Sequence, residues 1–261
     1  MHSFYADLVT TALVRRPSSR LAEGIVTHIT RSAVDLRLAE QQWEAYVEAL
    51  RSVGWEIHEV PTLESAPDCV FIEDTVVMFR DLAVITRPGD DRRKPEVTAV
   101  EPIVRELGCR VERIVEPGTL DGGDVLKVGD TVYVGIGGRT NRSGFEQFSA
   151  HLAPLGARMI GVPVTKVLHL KSAVTALPDG TVIGWDAAVD DQSMFPNYLS
   201  MPEESGAHVV VIDDRRVLMA ADAPRSAALL RSRGYEVICV DISEYEKLEG
   251  CVTCLSVRLR R

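Results

Sequence analysis

No apolar run in this chain reaches the roughly 18 residues that a membrane span requires. The opening stretch, MHSFYADLVTTALVRRP, also lacks the basic-then-apolar order of a secretory signal. Basic residues are the scarcer charge. With 29 Lys+Arg against 38 Asp+Glu the chain carries −9 at pH 7, which argues against nucleic acid or an anionic membrane as partner. The expected setting is the cytoplasm. The cysteines number five, an odd count in a chain with no export signal, so no disulfide framework is expected. Only Cys251 and Cys254 stand close together, in GCVTCLSVRL, and no second C-x-x-C or H-x-x-x-H completes a zinc set. That segment reads as a β-strand, not as the helix N-terminus of a redox motif, so redox and structural-zinc readings of the pair are the weaker ones.

What is present is the composition of a soluble globular protein, 46% apolar and 26% charged in 261 residues, enough to bury a substantial core. The chain alternates β-rich hairpins with amphipathic helices. CVFIEDTVVMF turns at Arg80-Asp81 and returns along LAVITRPG; a helix is expected from about Pro95 to Leu107, with Val100, Ile103, Val104 and Leu107 on one face. TLDGGDVLKV turns at Gly129-Asp130, returns along TVYVGIGGRTN and leads to a helix from about Gly144 to Leu155. HLKSAVTAL turns at Pro178-Asp179-Gly180 and returns along TVIGWD. HVVVI turns through Asp213-Asp214-Arg215, returns along RVLMA, and is followed by a helix from Pro224 to Arg233 and the strand YEVICVDI. A further copy is split between the chain ends, CVTCLSVRL pairing with FYADLVTTALVRR ahead of a helix at about Leu38 to Val53.

Asp74 to Asp121 is 47 residues, Asp121 to His169 is 48, and His169 to Cys254, at 85, is nearly two units. A repeat of about 45 to 50 residues with strands and one helix predicts a closed, propeller-like α/β ring of ββαβ units. Five such units would use the whole chain, residues 1–261, as one domain. The alternative is an α/β sandwich whose hairpin spacing is coincidental. Closure removes sheet edges and brings equivalent strand ends to one axis.

At those strand ends stand ionisable residues: Asp68, Glu73 and Asp74 in PDCVFIEDT, Asp121 and Asp124 in TLDGGDV, His169 and Lys171 in LHLKS, and Cys254. Singly, each is better read as a solvated or turn-capping group. In a ring they would converge on one central pocket. A cysteine supplies a soft nucleophile and a histidine moves protons, a pair that would also suit a peptidase. The carboxylates argue otherwise, because an acyl oxyanion needs donors, whereas a planar guanidinium needs carboxylates that accept its N–H pairs. DGGD lacks the Gly-Lys-Ser/Thr of a phosphate loop. Arg87 in ITRPG and Arg139 in GGRTN follow returning strands and could bind a carboxylate. The residues alone therefore point to an arginine-like small molecule.

At these positions the chain resembles the dimethylarginine dimethylaminohydrolases, within the guanidine-modifying superfamily of arginine deiminases and amidinotransferases. PDCVFIEDT, ITRPG, TLDGGDV, GRTN, VLHLKS and EGCVTCLSVRL occur in the family's order, and VRRPSS with AEGI extends the match toward the N-terminus. The resemblance implies a five-bladed pseudo-symmetric α/β propeller that converts methylated arginine to citrulline and an alkylamine. It implies Cys254 as nucleophile, His169 as acid and then base, and Asp121 as the group that positions His169. Asp68, Glu73 and Asp74 would bind the substrate's polar groups and guanidinium, Arg87 and Arg139 its α-carboxylate, and Ile25 and Leu248 would offer backbone carbonyls. PSSRLAEGIVTH, residues 17–28, would be a lid, and Cys251 is expected to be structural. No cofactor or catalytic metal is required, although a thiolate beside His169 could bind inhibitory zinc. A homodimer is compatible with the family. Arginine deiminases and amidinotransferases are typically longer; deimination of unmethylated arginine and a non-catalytic arginine-binding module stand as the alternatives.

Overall fold

The computed structural model describes residues 10–260, in which five three-stranded sheets follow one another around a ring. β1 (Thr10–Arg15) lies between β2 (Glu56–Val60), parallel, and β15 (Val257–Arg260), antiparallel. The other sheets repeat this pattern without a split: β3 (Val76–Phe79), β4 (Leu82–Ile85) and β5 (Arg110–Arg113); β6 (Val125–Val128), β7 (Thr131–Ile136) and β8 (Arg158–Pro163). Then come β9 (Val174–Ala176), β10 (Val182–Gly184) and β11 (Tyr198–Ser200), and β12 (Val209–Val211), β13 (Arg216–Ala220) and β14 (Glu236–Val240). Each unit is an antiparallel hairpin whose second strand crosses over to a parallel third.

Side chains alternate across a strand, and in this ring both faces of each hairpin are covered. On β3, Val76 and Met78 pack with Leu13 and Leu259 of the preceding sheet, while Val77 and Phe79 pack with Val125 and Val132 of the next. On β7, Val132 and Val134 join that second cluster, and Tyr133 joins Val174 and Val182. On β13, Val217 and Met219 pack with Ile183, and Leu218 and Ala220 with Ala12 and Val14 of β1. Each apolar cluster thus joins two successive sheets, and the contact from β13 to β1 closes the circle. This is why the hairpins read as unbroken apolar runs.

Helices α1 (Leu36–Ser52), α2 (Val100–Glu106), α3 (Arg142–Leu152) and α4 (Pro224–Ser232) supply the crossovers in four units. A 3-10 turn at Gln192–Met194 stands in that place in the unit of β9 to β11. α1 starts where Asp35 accepts a hydrogen bond from the Leu38 amide at 3.1 Å. Its buried Ala39, Trp43, Tyr46, Val47 and Leu50 follow helical spacing. α3 starts at Asn141, whose side chain accepts from the Gly144 amide at 2.7 Å.

The expected turns hold: Arg80-Asp81 joins β3 to β4, Gly129-Asp130 joins β6 to β7, and Gly129 has the positive φ such a turn uses. The expected terminal pairing also holds from Thr10 onward; its Phe4–Val9 portion lies outside the described residues. CVTCLSVRL, however, becomes strand only at Val257. Residues 251–255 are a turn because their polar groups have tertiary partners: Tyr46 Oη donates to the Val252 carbonyl at 2.9 Å, and Thr253 Oγ1 donates to Glu73 at 2.8 Å. No helix among the described residues is long and apolar enough to cross a membrane.

Closure by shared apolar clusters makes each one a structural joint. Leu218, fully buried where β13 meets β1, should on replacement by alanine destabilise the fold by about 3 kcal/mol in urea unfolding. A loss below about 1 kcal/mol would mean that this joint does not hold the ring.

Candidate active site

The inner strands of four sheets are entered through a single 3-10 turn: Ile72–Thr75 before β3, Gly122–Asp124 before β6, Leu170–Ser172 before β9 and Ser205–Ala207 before β12. Asp74 lies in the first of these, Asp121 and His169 stand immediately before the second and third, and Cys254 sits in the turn before β15. The repeat spacing is therefore the spacing of residues that face the axis. DGGD has its own reason. A Cβ on Gly122 would lie 1.9 Å from the Glu73 carbonyl and one on Gly123 would lie 2.6 Å from His169 Nδ1, so the two glycines let adjacent turns touch.

Cys254, His169, Asp74, Asp68, Arg139, Ile25 and Leu248 line one cleft, with Arg93, Phe71, Leu168, Glu249 and Gly250. His169 Nε2 is 3.0 Å from Asp121 Oδ2 and 3.9 Å from Asp74 Oδ1, and all three groups are buried. Burial alone would push the imidazolium down, but Asp74, Asp121 and Asp124 outweigh it and hold His169 up at about 9. Asp121 is fixed on its other oxygen by the Gly89 amide at 2.7 Å, and its backbone amide donates to Thr140 Oγ1. Thr140 Oγ1 in turn donates to Asp124, which also receives the Leu170 amide at 2.9 Å. Burial raises Asp124 to about 6.

Cys254 is held beside Cys251, with the two sulfurs 3.3 Å apart. The Cys251 hydrogen bond, burial, and the negative Glu73 and Asp74 push the Cys254 thiol up. The same bond, now donated by Cys254, brings Cys251 down to about 5, with His208 favouring charge there. The pair thus gives up one proton readily and holds the second. Cys251, expected to be structural, touches the candidate nucleophile.

Two of the expected binding residues lie elsewhere. The Arg87 guanidinium bonds the Gly118 carbonyl and Glu116, each at 3.2 Å, and is not part of the cleft wall; the Arg87 backbone pairs with Leu120 and so places Asp121. Glu73 is buried on the far side of the nucleophile turn, bonded to Lys171 at 2.5 Å, Arg258 at 2.9 Å and Thr253. Arg93, which the sequence reading passed over, lines the cleft in place of Arg87. It bonds Asp74 at 2.6 Å, Glu96 at 2.8 Å and the Phe71 carbonyl at 3.1 Å. Its signal is an arginine three residues before a glutamate in RRKPE, a pattern that reads as a solvated surface pair until its burial is known. Arg139 Nη1 is buried without a hydrogen-bond acceptor, 3.6 Å from Asp121.

No family model matches the chain. A dimethylarginine dimethylaminohydrolase of Streptomyces coelicolor is 63% identical over 249 residues, covering 95% of this chain and 96% of the relative. The chain belongs to the dimethylarginine dimethylaminohydrolase family. Two solved structures from that family have the same α/β propeller. The one from Pseudomonas aeruginosa, a cysteine-to-serine mutant complexed with citrulline, is 35% identical with a TM-score of 0.89, covering 95% of this chain and 98% of its own. A histidine-to-glycine adduct with S-methyl-L-thiocitrulline is 34% identical with a TM-score of 0.89, covering 95% and 99%. The motif resemblance and the five-bladed fold are thereby borne out.

Asp74, Asp121 and His169 offer ligand atoms within 4.8 Å of one another, an arrangement that could hold a metal ion. In this dimethylarginine dimethylaminohydrolase fold the two carboxylates already face cations, Asp74 the Arg93 guanidinium and Asp121 that of Arg139.

The cleft encloses about 20 Å³ of free space, room for one or two water molecules but not an amino acid. From residues 17–28, expected to be a lid, Ile25 forms part of its wall. The Ile25 amide donates to both oxygens of Asp68, at 3.0 and 3.1 Å, and Glu249 accepts from the amides of Thr27, His28 and Ile29. Glu249 should therefore set how often the segment opens. In Glu249→Gln, hydrogen exchange at Thr27 and Ile29 is expected to speed about tenfold, since each lost charged bond is worth 1.5 kcal/mol or more; unchanged exchange would mean that Glu249 does not latch it.

Proposed function

We propose that this chain hydrolyses Nω-methylated arginines to citrulline and di- or monomethylamine, without a cofactor, through a covalent intermediate on Cys254. The observation that carries the reading is the sharing of one cleft by Cys254, His169, the carboxylate of Asp74 and the unsatisfied Arg139, with Asp121 hydrogen-bonded to His169 behind its wall. The 63% identical relative bears the name of this activity, and the citrulline in the Pseudomonas aeruginosa protein is the product it would give.

The guanidinium of the substrate enters beside Asp74 and Asp121, and its α-carboxylate meets Arg139. Bringing that cation next to Cys254 cancels the negative surroundings that hold the thiol protonated, so substrate itself favours the thiolate. The sulfur attacks the guanidinium carbon, and His169, protonated at neutral pH, gives its proton to the departing alkylamine. The remaining thiouronium is attacked by a water that His169 deprotonates; the C–S bond breaks, releasing citrulline and restoring the thiolate. Asp121 keeps the imidazole aimed through both steps. Asp68 acts by holding Ile25, and residues 17–28 exclude bulk water.

Incubation with asymmetric dimethylarginine should yield citrulline and dimethylamine in equal amounts. Citrulline from unmethylated arginine alone, with ammonia, would assign a deiminase instead, and no citrulline from either would assign a binding module. Because His169 must carry a proton in the free enzyme and is held up at about 9, kcat/KM should fall about tenfold per pH unit above that point. Asp74 contributes to the raised value, so Asp74→Asn should move this limb to lower pH. A limb that stays where it was would belong to another group.

A further inference from the structure

Cys251 and Cys254 have sulfurs 3.3 Å apart, in a turn closed by the Cys254 amide donating to the Cys251 carbonyl at 3.0 Å. Residues that open and close such a turn have Cα atoms within about 7 Å, and a disulfide needs about 4.4 to 6.8 Å. The sulfurs have only to close to about 2.05 Å, a movement a χ1 adjustment can supply. The Cys251 amide also donates toward the Cys254 sulfur at 3.4 Å, so the two side chains already lean together. Neither role given to Cys254 above requires a second thiol at this place.

Access comes from both sides. Cys254 opens on the substrate cleft, and Cys251 lines an adjoining cavity of about 270 Å³ with His208, Ser172 and Glu246. A hydroperoxide is small enough for either space. Cys69 and Cys239 also carry free thiols, and the sulfur–sulfur contact at this turn is between Cys251 and Cys254.

We infer that Cys251 is a resolving thiol: when a hydroperoxide oxidises Cys254, Cys251 captures it as an intramolecular disulfide that silences the site reversibly. The inference rests on the reading of Cys254 as nucleophile. The Cys254 thiolate attacks one peroxide oxygen, forming an S–O bond as the O–O bond breaks and hydroxide leaves. The Cys251 thiolate then attacks the sulfenic sulfur; the S–S bond forms, the S–O bond breaks, and the oxygen leaves as water with a proton. Two thiols lose two electrons in total, and one hydrogen peroxide becomes two waters; an organic hydroperoxide would leave as its alcohol with one water. A small thiol reductant reverses the change. Without Cys251, further peroxide would carry Cys254 to the sulfinic acid, which such a reductant does not restore.

The test treats the full chain with a several-fold molar excess of hydrogen peroxide, blocks remaining thiols with an alkylating agent and measures intact mass and peptides. The expected result is a loss of about 2 mass units with an internal link between Cys251 and Cys254, together with loss of citrulline formation and its return on adding dithiothreitol. Cys251→Ser should instead gain about 32 mass units at Cys254, and dithiothreitol should restore less than about a tenth of its activity. Cys251→Ala, which cannot hydrogen-bond the nucleophile, should behave alike and controls for the serine hydroxyl. Sulfinic acid forming in the native chain as fast as in Cys251→Ser would overturn the proposal, as would a link from Cys254 to any other cysteine. A Cys251–Cys254 link that leaves citrulline formation intact would instead refute Cys254 as nucleophile while leaving the dithiol in place.

Discussion

The constraint on which the rest depends is that every inner hairpin must be buried on both faces. A sheet of three short strands cannot bury both faces alone, and each therefore needs a neighbour on either side. Five sheets meet that demand by closing a circle, with β15 and β1, drawn from distant parts of the sequence, completing one of them. The axis that results is crowded by strand entrances, and the side chains there are chosen by geometry before chemistry. Gly122 and Gly123 show how tight the centre is, since a methyl group on either would collide with the neighbouring turn.

Into that centre the chain places more ionisable groups than a core normally tolerates, and it does so in compensated sets. Arg93 neutralises Asp74 and Glu96, while Lys171 and Arg258 neutralise Glu73. His169 is left facing carboxylates, which keeps it protonated, and Arg139 is left with a buried nitrogen unbonded. Asp74 favours charge on His169 and opposes it on Cys254, so the imidazole and the thiol beside this one carboxylate are both held toward their protonated forms.

Much of this was legible in the chain itself. The period from Asp74 to Asp121 to His169 is visible because each residue stands at the same step of a repeated unit, and repeats survive in sequence as spacing. Gly-Asp and Asp-Gly turns and the apolar face of α1 are local signals. What the sequence hid was which charged residues face inward. Arg87 and Arg93 stand six positions apart in one polar stretch, and nothing local separates the one that reaches Glu116 at the rim from the one that disappears beneath the cleft. The 251–255 turn was hidden for a related reason: Val252 and Thr253 favour strand, and the groups that override that preference, Tyr46 and Glu73, lie some 180 to 206 residues away in sequence. Long-range polar bonds leave no trace in a window of ten residues.

The position of Cys254, three residues before the strand that pairs with β1, has a bearing on how the molecule comes into being. Every other residue of the cleft precedes it. As the chain is synthesised, the carboxylates of the cleft, the imidazole and most of the apolar joints are made before the sulfur is, and the strand that completes the sheet of β1 and β2 follows it directly. A growing or truncated chain that stops short of Cys254 therefore carries every other residue of the cleft wall but not this sulfur.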